Sequence, residues 1–418
     1  MSDPAATNLR DAESISALST EDRGLFSRAS FWVTLPIIAI VMVGVAGHAA
    51  SSLKPLIIQA FVQSVGFDKA TSGYLLTAEM ISTSAGTVLA TAFPFFLRRR
   101  GYLFGALALM MMANIASIPF KADPGVVLYG LRCLSGLGAG FGLGRLGILI
   151  ALSGRPGKTA ALYSTTTQLY GAVAAFAMPF IDRMCGANSI FVILAGTVPL
   201  ALILIGYVPE SHERVEKKKA VSVQGVRTIG LSEKVILALT FFVFYLGIGT
   251  FYPFIAVLGE TAAIGKSQMS MLLGWAAIVS ALGSAMAVFA GDRKASAPII
   301  SLFFVSLCSA VVLQLGFPRS LVVFIASVLL FAFSYWVINP LILGVLSKLD
   351  KTGQMNGVYY VVAVAGISVG PALAGWVLTH QADRFTGAEF LRAVSFGFLA
   401  VSSAVQIYYA YRARRLPD

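Results

Sequence analysis

Five ionisable side chains lie inside long apolar stretches in the first half of the sequence. They are His48, Lys54, Glu79, Arg132 and Arg145. A charge in an apolar medium is costly unless it is paired, so such residues by default face a partner or a cavity and mark function. Lysine and arginine can bind a carboxylate, and glutamate and histidine can exchange a proton. The residue types therefore point to anion binding coupled to proton movement.

The positions of these residues along their apolar stretches indicate how they are grouped. Lys54, Glu79 and Arg132 are expected at one depth, so that Glu79 neutralises one of the two cations and one positive charge is left over. Arg145 is about 20 Å further along the same segment than Arg132, at 1.5 Å per helical residue. It either reaches the surface or faces a cavity. We assign Lys54, Arg132 and Arg145 to substrate binding, and Glu79 or His48 to proton coupling. A structural role for Arg132 and a permanent salt bridge at Glu79 are the alternatives.

The second half supplies aromatic rings and an amide instead of charges. No ionisable residue is expected deep in its apolar stretches, and Arg392 is counted with the outer loops. Aromatic residues in membrane segments often face lipid or the interface. Alternatively, an aromatic wall opposite a cationic wall suits an amphipathic anion. The further substrate-binding candidates are Tyr245, Tyr252, Tyr335, Trp336, Asn339 and Tyr359.

Composition excludes a soluble protein. Of the 418 residues, 57% are hydrophobic and only 12% are charged, with a mean hydropathy of +0.81, whereas soluble domains are about a quarter charged. The three cysteines (Cys133, Cys185, Cys308) and three histidines are too far apart to predict a metal site or a disulfide framework. The sequence contains no Walker loop, nucleophile elbow or HExxH motif. We therefore expect no enzyme activity, no metal and no cofactor.

The apolar residues group into segments long enough to cross a membrane, which requires about 20 residues each. A charged stretch after residue 208 divides them into two sets of six. The expected organisation is a cytoplasmic tail at 1–30, a six-helix bundle at 31–208, a cytoplasmic linker at 209–232, a second six-helix bundle at 233–411 and a tail at 412–418. The twelve predicted segments are 31–63, 71–96, 101–119, 125–152, 159–182, 188–208, 233–258, 268–290, 296–316, 320–346, 354–379 and 388–411.

The distribution of basic residues predicts the topology. With the N-terminus in the cytoplasm, the inner segments carry roughly three times as many Lys and Arg residues as the outer ones, which places both termini inside. The net charge of +12 is then mainly a topology signal, and no nucleic-acid partner is expected. The N-terminal tail is polar and lacks the apolar core of a signal peptide. We expect an integral protein of a bacterial cytoplasmic (inner) membrane.

Four short motifs resemble those of the major facilitator superfamily (MFS). The run from Pro94 to Gly101 is similar to the family's G-x-x-x-D-R-x-G-R-R loop after segment 2, although Arg98 replaces the aspartate. A second copy, Asp292-Arg293-Lys294-Ala295, keeps the acid after segment 8. Segment 4 resembles the family's R-x-x-x-G-x-G-x-G pattern, and segment 11 resembles its glycine–proline motif. The residues that match are Arg132, Gly136, Gly138 and Gly140, and Gly366, Gly370, Pro371 and Gly375.

The resemblance implies an all-α MFS fold of two six-helix bundles that rock about a central site. It implies gating or conformational roles for Arg98, Arg99, Arg100, Asp292, Arg293, Gly370 and Pro371, although plain topology charge is an alternative for the three arginines. Together with the buried charges, it predicts a proton-coupled symporter of a small organic anion, with an anionic substrate, protons and the lipid bilayer as partners, acting as a monomer. A drug–proton antiporter and a non-transporting membrane sensor or scaffold are the alternatives.

Overall fold

The chain is all-helical wherever a computed structural model describes it, which is at residues 35–93, 99–120, 125–152, 156–208, 229–290, 296–350, 354–380 and 384–415. In chain order the α-helices are α1 Leu35–Ser52, α2 Lys54–Ala60, α3 Lys69–Ala92, α4 Arg100–Ser117, α5 Gly125–Leu152, α6 Pro156–Cys185, α7 Ser189–Gly196, α8 Val198–Leu204, α9 Leu231–Phe251, α10 Ile255–Gly259, α11 Lys266–Ala290, α12 Ser296–Gly316, α13 Leu321–Leu349, α14 Gln354–His380 and α15 Arg384–Arg414.

Many of these helices are long and apolar enough to cross a membrane. Nine helical stretches among the described residues meet both requirements, and one of them, Leu162–Tyr207, combines α6, α7 and α8. The prediction of an integral membrane protein is therefore supported. The count of twelve spans, the positions of the termini and the division into two bundles with a linker remain predictions, and the two tails and most of the linker lie outside the described residues.

Local sequence explains several helix boundaries. Asp68 caps the start of α3, where its side chain accepts a hydrogen bond from the Thr71 backbone N–H at 2.9 Å. Partial burial favours the neutral acid, but the hydrogen bonds from Thr71 outweigh it and lower the pKa of Asp68. Between α1 and α2, Leu53 leaves helical geometry and Pro55 follows in the first turn of α2. Because proline lacks an N–H donor, this sequence produces a break in the helix at Lys54.

Glycines allow the helices of each half to pack closely. In the first half, a Cβ on Gly136 or Gly140 of α5 would overlap backbone oxygens of α3, at Glu79 and Thr83 respectively. In the second half, a Cβ on Gly370 of α14 would overlap the backbone of α9. The glycine-rich faces expected from the sequence therefore bring helix backbones into direct contact.

Among the described residues, the two halves contact each other mainly through four helix pairs: α3 with α14, α6 with α11, α2 with α10, and α2 with α11. We call the end of the molecule where these contacts lie the interlocked end. Polar bonds cross it from the side chains of α2 and its continuation, the first turns of α3, and the end of α6. The bonded pairs are Gln59–Lys266, Gln63–Glu260, Ala70–Thr379, Thr77–Ala372 and Asp182–Lys266.

Candidate functional site

Lys54 lies at the break between α1 and α2. Its side chain is buried, with only 6% of the residue exposed. Within the described part of the chain, its ammonium group has neither a hydrogen-bond acceptor nor a carboxylate within ion-pair distance. A buried lysine in this situation lacks the counter-charge that normally offsets the loss of hydration. Lys54 is therefore able to accept an anion.

His48 lies in α1, six residues before Lys54. Its Nδ1 is 2.8 Å from the hydroxyl oxygen of Tyr163 in α6, and the two rings meet edge to face. One turn earlier in α1, a Cβ on Gly44 would come within 2.5 Å of the Tyr163 ring. The absence of a side chain at Gly44 therefore makes room for the ring that reaches His48.

Glu79 forms an ion pair with Arg132. Both residues are almost fully buried, and the Nη1 of Arg132 is 3.5 Å from the Oε2 of Glu79. The hydroxyl of Ser135 donates a hydrogen bond of 2.8 Å to the other carboxylate oxygen. The sequence left open which cation Glu79 would neutralise. The structure pairs it with Arg132 and leaves Lys54 unpaired among the described side chains.

Arg132 also joins several helices of the first half. It donates hydrogen bonds to Asn114 Oδ1 at 3.0 Å, Ser117 Oγ at 2.6 Å and the carbonyl oxygen of Ala113 at 3.4 Å, all in the last turn of α4. Its guanidinium also lies 4.8 Å from the ring centre of Phe191 in α7. A cation at the C-terminal end of a helix is favourably placed. These contacts support the structural alternative for Arg132.

Arg145 and the basic residues after α3 lie at the opposite end of α5 from Arg132. Arg145 is buried and donates to the backbone oxygen of Arg99 at 3.0 Å, which links the end of α5 to the start of α4. Arg100 donates to the carbonyl oxygen of Val208 at 2.6 Å. The other predicted gating residues Arg98, Asp292 and Arg293 lie outside the described residues.

The two predicted gating residues of α14 lie on different contacts. Gly370 packs against the backbone of Gly249 in α9, within the second half. The carbonyl oxygen of Pro371 instead meets Gly73 of α3, across the interlocked end. The glycine–proline pair therefore connects packing inside one half with packing between the halves.

The second half contains a buried polar cluster made of predicted residues. The hydroxyl oxygens of Tyr245 and Tyr359 lie 3.2 Å and 2.6 Å from Asn339 Oδ1 and within hydrogen-bond distance of each other, so their two hydrogens are shared among three contacts. The ring of Tyr335 lies 6.4 Å from that of Tyr245. These four residues line a narrow crevice together with Gln406 of α15. The structure thus gathers side chains from α9, α13 and α14.

The remaining two aromatic candidates lie beside this cluster. Tyr252 stacks on Phe331 with ring centres 6.0 Å apart and planes nearly parallel. Trp336 meets the edge of Tyr335 at 5.5 Å, and its Cβ faces Gly283 of α11. Both residues are packed against neighbouring rings or helices.

Arg392 is a buried charge that the sequence reasoning missed. It was counted with the outer loops, but α15 begins at Arg384, so Arg392 lies more than two turns inside the helix and is fully buried. It donates to the Leu258 carbonyl oxygen at 3.0 Å and to Thr261 Oγ1 at 2.8 Å. The expectation that the second half holds no deep charge was wrong. Because the residues around Arg384 are polar, the apolar pattern did not indicate that the helix begins there.

Within its described residues, the first half thus contains a histidine with a hydroxyl partner, a buried lysine, and the ion pair between Glu79 and Arg132. The second half contains hydroxyl and amide groups. Such an arrangement can hold an anion at the lysine, take up a proton at the histidine and pack an organic body against aromatic rings.

One protein family matches most of the chain. The family described as Major Facilitator Superfamily matches residues 24–371. A mutant of the nucleoside transporter NupG is similar in structure, with a TM-score of 0.68 and 11% sequence identity, over 90% of this chain and 100% of that one. No curated protein sequence matches the chain.

Two further solved structures are similar to the chain. The human organic anion transporter MFSD10 gives a TM-score of 0.63 at 13% identity, over 89% of this chain and 99% of that one. The D-xylose-proton symporter gives 0.63 at 14% identity, over 89% and 97%. At these identities, the likeness establishes the fold alone.

Proposed function

This chain belongs to the major facilitator superfamily, and we propose that it is a secondary active transporter that carries a small organic anion together with a proton. The two helical halves would rock about a site between them, so that the site opens to one side of the membrane at a time. Lys54 would bind the carboxylate of the substrate. Aromatic residues of the second half would contact its organic body.

The observation that carries this proposal is that the ammonium of Lys54 has no partner among the described residues. The effective penalty for burying an unpaired ion is several kcal/mol, and charges at membrane depth usually mark a transport pathway. Arg132 already has Glu79, and Arg145 bonds the start of α4. Of the three cations predicted to bind substrate, Lys54 is therefore the one whose burial a substrate anion would best explain.

The second half favours an anion with an aromatic or alkyl body. The cluster of Tyr245, Tyr335, Asn339 and Tyr359 offers ring surfaces and an amide but no charge. Rings pack well against rings, and hydroxyls and amides can bond a polar substituent. Among the similar structures, one is an organic anion transporter and one a proton symporter, which is compatible with both parts of the proposal.

We also propose which side of the membrane the interlocked end faces in the conformation seen here. If both termini lie in the cytoplasm, as the basic residues predict, the interlocked end lies on the outer side of the membrane. The molecule would then be closed to the outside, with its site accessible from the cytoplasm. Twelve spans, a monomeric state and a bacterial inner-membrane location complete the proposal.

Uptake into proteoliposomes tests this function. Radiolabelled acetate, lactate, succinate and benzoate are offered with the external medium more acidic, and then more alkaline, than the lumen. Symport predicts accumulation of at least one anion only when the outside is acidic. Extrusion under the same gradient would indicate the antiporter, and no flux of any anion would contradict the proposal.

Substitutions at Lys54 separate binding from folding. Lys54→Ala should abolish accumulation, and Lys54→Arg should keep part of it because the positive charge remains. Arg183→Ala, which removes an exposed cation at the end of α6, is the matched control and should transport normally. Full uptake by Lys54→Ala would contradict the role of this residue.

A further inference from the structure

We infer that His48 is the residue that carries the coupled proton, that Tyr163 positions it, and that one proton and one anion occupy neighbouring places at His48 and Lys54. This inference rests on the proposed function and extends it, since the sequence alone left Glu79 and His48 as equal candidates. It also assigns a role to Tyr163, which the sequence did not single out.

Glu79 lies in a buried ion pair with Arg132. A guanidinium can donate hydrogen bonds but cannot accept them, so Arg132 cannot accept a bond from the O–H of a protonated Glu79. Protonation would leave Arg132 as a buried cation without a counter-ion, which is strongly unfavourable. The pair is also bonded to Ser135 and to the end of α4. Glu79 is therefore a fixed counter-ion of Arg132.

His48 has a partner that suits both of its charge states. The hydroxyl of Tyr163, 2.8 Å from Nδ1, can donate to a neutral imidazole nitrogen or accept from a protonated one. A carboxylate at this place would hold the ring charged, and an N–H donor would hold it neutral. The Nδ1 of His48 therefore keeps a hydrogen-bond partner in both states, so the ring can gain and lose a proton while it stays in place.

The neighbours of His48 make its protonation depend on the anion. Lys54 follows His48 by six residues, and its like charge opposes a second positive charge on the ring. An anion bound at Lys54 would remove that opposition, and by linkage a proton on His48 would strengthen anion binding by the same factor.

The other charged and titratable groups on the helices packed against α1 have little influence on the ring. Tyr163 faces it from α6. On α5, Arg132 and Arg145 bond elsewhere, and α8 contains no titratable residue.

One titratable histidine beside one unpaired lysine implies one proton for each anion. For a monocarboxylate, the loaded site then carries the same charge as the empty site, because the proton and the anion cancel. Transport of a monocarboxylate should therefore be electroneutral, whereas a dianion would move one negative charge in each cycle.

The test measures the affinity of the purified, full-length protein for benzoate at pH 5.5, 6.5 and 7.5. Benzoate stays ionised over this range, so a change in affinity reports on the protein. The wild type should bind roughly tenfold more tightly at pH 5.5 than at pH 7.5, because a proton taken up at His48 strengthens anion binding at Lys54. His48→Gln should remove this dependence, whereas Glu79→Asp, which keeps the charge, should retain it. Tyr163→Phe should weaken binding more at pH 5.5 than at pH 7.5, since the protonated ring then lacks its acceptor.

The outcomes distinguish this inference from the proposed function. Benzoate binding that needs Lys54 but has the same affinity at all three pH values would overturn the role of His48 and leave the anion site standing. A pH dependence that persists in His48→Gln would do the same. If benzoate fails to bind the wild type at any pH and none of the four radiolabelled anions is transported, both proposals fail together. His48→Asn, which removes the titratable ring in a second way, guards against misreading a folding defect in His48→Gln and should give the same flat profile.

Discussion

Gly73 in α3 packs against the carbonyl oxygen of Pro371 in α14, and this contact joins the two halves of the protein. A Cβ on Gly73 would overlap that oxygen, and a Cβ on Gly375 would overlap the carbonyl oxygen of Lys69 in the same way. The contact between α3 and α14 therefore depends on the absence of side chains. Closure of the interlocked end can be tested by adding a single methyl group.

We predict that Gly73→Ala destabilises the closed interlocked end. The added methyl group collides only with the opposite half, so each half should fold normally while the equilibrium shifts by about 1.4 kcal/mol or more, which is tenfold. A cysteine introduced at Gln63 in a background without native cysteines should react faster with a maleimide. Gly105→Ala, where the methyl group would meet open space, should leave the rate unchanged. Equal rates in both variants would show that this contact does not control closure.

Substitution by methionine should change the stability of the protein in opposite directions at Lys54 and at Arg132. Lys54→Met removes an unpaired buried charge and should stabilise the protein by about 1–2 kcal/mol, at the expense of anion binding. Arg132→Met leaves Glu79 without its partner and should destabilise the protein by about 3–5 kcal/mol. Thermal unfolding in detergent measures both. A loss of stability in Lys54→Met would mean that Lys54 has a stabilising partner.

Gly44→Ala should disturb His48 without touching it. The new methyl group would come within 2.5 Å of the Tyr163 ring, so the ring must move and its hydrogen bond to His48 should weaken. We expect this variant to resemble Tyr163→Phe in its pH profile of benzoate binding. Gly105→Ala again serves as the control for adding a methyl group to a helix. A wild-type profile in Gly44→Ala would show that the ring position is not critical.

Arg392→Leu should lower the stability of the second half. The arginine donates to the carbonyl oxygen of Leu258 and to the hydroxyl of Thr261 near the end of α10, and a hydrogen bond that involves a charged group contributes about 1.5–3 kcal/mol. Arg183→Leu, at an exposed site, should change stability by less than about 0.5 kcal/mol. The difference between the two unfolding temperatures is the measurement, and equal values would contradict the role of Arg392.

The sequence alone was sufficient to predict a membrane protein, to indicate its family and to identify the unusual residues. Apolar stretches of sufficient length form helices because lipid offers the backbone no other hydrogen-bond partners, so composition and periodicity predict helices at these positions. A charge in such a stretch stands out without any structure. His48, Lys54, Glu79 and Arg132 could therefore be identified before their surroundings were known.

Only the tertiary structure decided which of these residues are partners. Periodicity places Glu79 and Arg132 at one depth but does not say which helix faces which, and it cannot show that Tyr163 reaches His48 past Gly44. Arg392 was misplaced because helix boundaries are weakly encoded where polar residues flank an apolar stretch. Pairing depends on helix rotation and neighbour order, which arise from packing over the whole chain. For that reason, only the folded protein shows that Glu79 is paired with Arg132 and that Lys54 has no partner among the described residues.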